Sequence, residues 1–165
     1  MKPMKPMKLH SSWALCIAAA ALSAPAWADK KAEAGKSLIE RGRYLVQIAG
    51  CNDCHTAGYA ERGGKVDEKD WLTGDAVGWR GPFGTTYPVN LRLYVEKMTE
   101  ADWSKRVKTM EPRPPMPWFN VRAMSERDQR AIYHYLKAAG PAGKPAPAYL
   151  PPDKTPPPPF FQFPS

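Results

Sequence analysis

Cys51-Asn52-Asp53-Cys54-His55 is the stretch on which the reading of this chain turns. Only three cysteines occur in 165 residues. The third, Cys16, falls in a segment that reads as a leader, so Cys51 and Cys54 are the whole thiol inventory of the processed chain. Such a pair can be a disulfide, a redox-active dithiol, half of a zinc site, or the two thioether attachments of a c-type haem. A thioredoxin-like dithiol needs the pair at the start of a helix in a βαβ context, and the surrounding residues lack one. A closed zinc site needs four ligands, and the local cluster offers three with no second cysteine pair. Haem accounts for all three residues together. Cysteines three positions apart reach the two vinyl-derived carbons on one haem edge, and the adjacent histidine lies under the iron.

Upstream, Lys2, Lys5 and Lys8 precede an apolar run from Trp13 to Leu22 that is too short to span a bilayer, and Ala26-Trp27-Ala28 has the small residues read by signal peptidase. Residues 1–28 are therefore expected to be a signal peptide, with the mature chain starting at Asp29 and no membrane anchor left after cleavage. That places the protein in the periplasm. Residues 29–165 suffice for one modest core. The formal charge of +8 includes the three leader lysines. The remaining excess fits an acidic protein partner or an anionic surface, and without a basic stripe or motif it gives no case for nucleic acid.

A first helix is expected from about Ala32 to Ile48, with Leu38, Gly42, Leu45, Val46 and Ala49 on one face. Gly42 costs about 1 kcal/mol against alanine within a helix, so it implies close approach by another element. Residues 56–92 hold most of the glycines, with Trp71, Trp79, Pro82 and Tyr87, and read as a long ordered loop region with a β-like stretch around Tyr87 to Leu93. A second helix is expected after Thr99, capped reciprocally with Asp102, and a third after Ser125 with Asp128 as its box partner, ending at Gly140-Pro141. Beyond it lie ten of the nineteen prolines. This tail, 141–165, should be extended and poor in intrachain hydrogen bonds, with Phe160, Phe161 and Phe163 packing back on the body or docking on a partner.

The sixth iron position decides between electron transfer and ligand chemistry. Candidates are Met98, Met110, Met116, Met124 and His134. Met98 reads as a hydrophobic staple with Trp103, Met110 lies on the apolar stripe of the second helix, and His134 points away from the stripe of the third. Met116 sits in Arg113-Pro114-Pro115-Met116-Pro117-Trp118, where prolines forbid helix and no packing stripe explains a methionine. It is the preferred ligand, with Met124 second.

The order of helix, C-x-x-C-H, aromatic loop region, Pro-Pro-Met-Pro-Trp and a final helix reading Arg130-Ala131-Ile132-Tyr133-His134-Tyr135-Leu136 resembles class I c-type cytochromes. It is more similar still to single modules of the cytochrome subunits of membrane-bound alcohol and gluconate-type dehydrogenases, which carry stretches like Gly81 to Tyr87 and Asn90. The resemblance covers about Gly42 to Pro141, whereas those subunits carry several haem motifs and this chain one. It implies a mostly α fold over 29–140, with helices wrapped around one covalent haem c and long ordered loops. It also implies His55 and Met116 as axial ligands, a first helix crossing the last near Gly42 and Tyr135, and Phe83 to Asn90 lining the haem pocket. The expected role is one-electron transfer between a dehydrogenase or other donor and a respiratory acceptor such as a terminal oxidase, with no catalytic residue. The competing role is a haem enzyme or a gas- or peroxide-binding protein, which requires a labile sixth ligand.

Overall fold

A computed structural model describes residues 26–164, with side chains from Glu33. Nearly all of the leader expected over 1–28 lies outside the described residues; its last three positions belong to α1, Ala26–Ile48, which begins earlier than the hydrophobic stripe indicated. The described residues divide into two units at Glu33/Ala34, and everything below concerns the compact unit from Ala34 onward. No described helix is long and apolar enough to cross a membrane.

The chain is mostly helical. After α1 come α2 (Cys51–His55), a single 3₁₀ turn at Glu68–Asp70, α3 (Leu91–Tyr94), α4 (Glu100–Thr109), α5 (Trp118–Ala123) and α6 (Glu126–Ala139). Thr99 and Asp102 form the reciprocal cap expected at α4. At α6 only half of that box exists: Ser125 accepts from the Asp128 amide, while the Asp128 carboxylate takes the Arg41 guanidinium of α1 at 2.9 Å. Gly140, at φ 67°, ends α6 where the Gly-Pro pair placed its stop.

The core is built by Leu45 and Val46 of α1, Trp103 and Val107 of α4, and Ala131, Ile132, Tyr133, Tyr135 and Leu136 of α6, closed by Trp71, Leu72 and Val95. Gly42 is the crossing point of α1 and α6. A Cβ there would collide with the Ala131 carbonyl and come within 2.7 Å of Tyr135 Cβ, so only glycine lets the backbones meet.

Two expectations about extended structure are corrected. Tyr87 to Leu93 is not a strand: Asn90 caps α3 by accepting from the Leu93 amide at 3.0 Å, and this local bond turns the chain helical. The strands lie on either side of Pro82-Phe83, β1 (Gly78–Gly81) pairing antiparallel with β2 (Gly84–Thr86). The tail is not poor in hydrogen bonds either. Its non-proline positions form β3 (Phe160–Gln162), parallel to β1 with Trp79 opposite Phe161, giving the order β2-β1-β3. Trp79 stacks on Phe161 at 4.8 Å, and Phe163 packs on Trp79 and Phe83. The aromatic residues therefore pack back on the body, and the prolines stay at a sheet edge, where a missing amide costs no ladder bond.

Candidate haem site

Helix α2 is one turn long and begins right after Gly50, whose φ of 68° makes the sharp exit from α1 that a side chain would resist. It presents Cys51, Cys54 and His55. Both cysteines are free thiols and half-buried. Burial pushes the Cys51 thiol up to about 11 and raises Cys54 as well. A redox-active dithiol requires the opposite shift, so although the pair does sit on a helix, the site holds these sulfurs as protonated, uncharged groups. Among the described residues no group of three or more histidine, cysteine, aspartate and glutamate side chains could hold a metal ion.

His55 is 8% exposed, and its Nδ1 lies 2.8 Å from the Val89 carbonyl oxygen. A carbonyl only accepts, so Nδ1 donates, and the neutral ring keeps its lone pair on Nε2. Burial lowers the His55 pKa, with the Val89 bond opposing it in part, and the ring stays neutral and able to ligate. Thr56 fixes the far end of α2: its hydroxyl donates to Asn52 Oδ1 and accepts from the Leu72 amide.

Four methionines lie among the described residues, and their surroundings differ. Met98, Met110 and Met124 all pack against the core cluster; Met116 is half-buried and does not. His134 is engaged elsewhere, with Nε2 at 2.7 Å from Glu100. The loop carrying Met116 is tied at both ends. Thr86 donates its hydroxyl to the Pro114 carbonyl at 2.9 Å, while Arg122 of α5 donates to the Met110 carbonyl and stacks over Trp118. The 84–90 stretch thus touches both sides of the candidate site, holding His55 through Val89 and the methionine loop through Thr86. Helix α5, which orients Arg122, was not anticipated; Gln129, three positions into α6, secures it by donating to the carbonyls of Val121, Arg122 and Met124.

Among the described residues three buried side-chain polar atoms have no partner: Asn52 Nδ2, Thr85 Oγ1 and Arg122 Nε. They fall on α2, on β2 and on the helix following the methionine loop. Buried polar groups are rarely left unpaired in a finished structure, and an added group with hydrogen-bonding edges would supply such partners. Two free thiols, a neutral histidine with a bare Nε2 and a thioether outside the core fit haem c.

A cytochrome c family profile matches residues 39–140. The chain belongs to the cytochrome c family. It is also 26% identical, over 141 residues, to the cytochrome c subunit of the quinone alcohol dehydrogenase of Gluconobacter oxydans (strain 621H). That match takes in 78% of this chain and 27% of the relative, so the cytochrome spans about a quarter of the length of the relative it matches. No solved structure matches. Family membership implies a covalently bound haem c and a role in electron transfer.

Helix α4 carries Lys105, Arg106 and Lys108, one of which is in an ion pair. Lys108 pairs with Glu126 at 2.5 Å, and Arg106 donates to the Tyr94 hydroxyl at 2.7 Å. Lys97 and Lys105 remain exposed.

Proposed function

We propose that this cytochrome is a periplasmic one-electron carrier with a single haem c. Cys51 and Cys54 would form the thioethers, with His55 and Met116 as axial ligands, and the chain would pass electrons from a dehydrogenase to a respiratory acceptor. The haem supplies a ferric/ferrous couple whose potential depends on axial ligand, burial and hydrogen bonding. The chain's residues do the rest. His55 donates Nδ1–H to Val89, which orients the ring and makes Nε2 more basic. The cysteine pair lies beside exposed Ile48, Ala49, Asp53 and Ala57, so the covalent edge would be where electrons cross. The dehydrogenase partner rests on the relative's being a dehydrogenase subunit, the single haem on one C-x-x-C-H, and the compartment on the leader segment.

The observation that carries the carrier reading over the gas- or peroxide-binding one is Met116, the half-buried methionine that packs outside the core on a loop tied at both ends. A visible spectrum with a carbon monoxide challenge tests it. The expected result is low-spin, six-coordinate iron in both oxidation states and no carbon monoxide binding by the unmodified protein. Met116→Ala should open the iron to carbon monoxide and make the potential less positive, because a neutral sulfur ligand favours ferrous iron. Ready carbon monoxide binding by the unmodified protein, or an unchanged spectrum in Met116→Ala, overturns the assignment. Cys51→Ala with Cys54→Ala should leave no covalent haem after denaturing electrophoresis.

A further inference from the structure

The tail reaches the methionine loop as well as the sheet. At Leu150 the tail pairs with β2: the Thr85 amide donates to the Leu150 carbonyl at 2.7 Å, and the Leu150 amide donates to the Thr85 carbonyl at 3.0 Å. Its neighbour Tyr149 donates its hydroxyl to the Phe83 carbonyl at 3.1 Å, while the Arg113 guanidinium lies 3.8 Å from the centre of its ring. Arg113 opens the Pro-Pro-Met-Pro segment. Gly84 exists to admit this approach: its φ is 89°, and a Cβ there would run into the Leu150 carbonyl oxygen and the Tyr149 hydroxyl. At the tail's start, Asn90 donates to the carbonyls of Ala142 and Lys144, one residue from the carbonyl that holds His55. The far end is secured by the Gly78 amide on Pro159 and the Phe163 amide on Arg80.

We propose that the Pro-rich tail is a strap that fixes the Met116 loop, with Tyr149 as its positioning residue, clamping Arg113 against β2 so that the thioether stays on the iron. This rests on Met116 being the sixth ligand. The physical case is one of restricted motion. Residues 113–117 are restrained by the Thr86–Pro114 bond and the Arg113–Tyr149 stack, and the Tyr149–Phe83 bond and the Leu150–Thr85 pair fix the tail that makes that stack, four restraints in one chain of contacts. Three of the four involve the tail. Prolines lower the tail's own entropy in the free state, so little is lost when it docks.

The test uses the full-length, haem-loaded protein with Tyr149→Leu, Tyr149→Phe and Arg113→Gln. Three quantities are read: amide hydrogen exchange over 111–118, the rate of imidazole binding to ferric iron, and the melting temperature. Removing the cation–π contact should raise loop exchange and imidazole binding about tenfold in Tyr149→Leu. Arg113→Gln should do the same, and Tyr149→Phe, which keeps the ring, should do less. The melting temperature should change little, which separates positioning of the loop from general stability. Arg113→Gln removes the stack from the other side and decides the matter if Tyr149→Leu fails to fold. Unchanged exchange and imidazole rates in both variants overturn the strap. If the unmodified ferric protein lacks the weak far-red sulfur-to-iron band, the ligand assignment falls separately; loop exchange still reports on the strap.

Discussion

His55 Nδ1 and the Val89 carbonyl oxygen are 2.8 Å apart, and Asn90, the next residue, decides where that carbonyl sits. Asn90 accepts from the Leu93 amide and donates to Ala142 and Lys144, so one side chain fixes the turn, the helix after it and the start of the tail. Asn90→Ala should loosen the carbonyl and weaken its bond to His55. A less basic imidazole stabilises ferric iron less, so the potential should rise, on the order of tens of mV for a change of a few-fold in the redox equilibrium. Potentiometric titration checks this; a fall in potential would show that the carbonyl does not act on the iron through His55.

Gly42 sets the α1–α6 crossing, and its replacement opposes two effects. Alanine gains about 1 kcal/mol of helix propensity, while forcing a methyl into a packed crossing costs about 1–3 kcal/mol. The Ala131 carbonyl and Tyr135 Cβ are backbone and near-backbone atoms that cannot swing aside, so the steric cost should win. Gly42→Ala is expected to lower the melting temperature and Gly42→Val to lower it further. Equal or higher stability in Gly42→Ala would mean that the helices separate freely.

Local signals in the sequence reached some of this and missed the rest for a physical reason. The Thr99 and Ser125 caps, the Gly140 stop and the close approach at Gly42 were legible because each depends on residues near one another in sequence or on one residue's size. The C-x-x-C-H stretch was legible as a motif because its five residues are consecutive, and they share one short helix. Helix α5 was not, since Trp118–Ala123 is held by Gln129 and Arg122 rather than by its own pattern. Tyr87 to Leu93 looked β-like from Tyr, Val and Leu, yet the Asn90 side chain won over propensity. The pairing of β3 with β1 joins residues some eighty positions apart, and nothing in a run of prolines announces its partner. The Val89 carbonyl that holds His55 is backbone, so residue identity carries no trace of it.

Acid should weaken the contact between α1 and α6. The Arg41 guanidinium hydrogen-bonded to Asp128 holds that carboxyl below its ordinary value. A depressed folded pKa contributes stability that is present above the unfolded value, about 3.9, and is lost as pH falls through the folded one. Glu100 behaves likewise: burial pushes its pKa up, but hydrogen bonds from Arg130 and His134 more than offset this. The melting temperature should therefore fall from about pH 5 to pH 3, and Asp128→Asn should flatten part of that slope. An identical slope in Asp128→Asn would show that the acid sensitivity arises elsewhere.

Electron delivery should depend on salt, though weakly. Redox encounters are small and transient, so surface charge acts on the rate of encounter more than on affinity. On the α4 face Lys108 is paired with Glu126, while Arg106 donates to the neutral Tyr94 hydroxyl and keeps its charge. Lys97 and Lys105 are exposed and can steer an acidic partner. At physiological ionic strength the screening length is about 8 Å, so only charges near the contact act. The expected outcome is that the rate of reduction by a dehydrogenase partner falls several-fold between low and physiological salt. Lys105→Glu should lower it further at low salt and converge with the parent at high salt. Stopped-flow mixing across a salt series measures both. A rate indifferent to salt and to Lys105→Glu would remove α4 from the steering of the partner and leave the carrier reading standing.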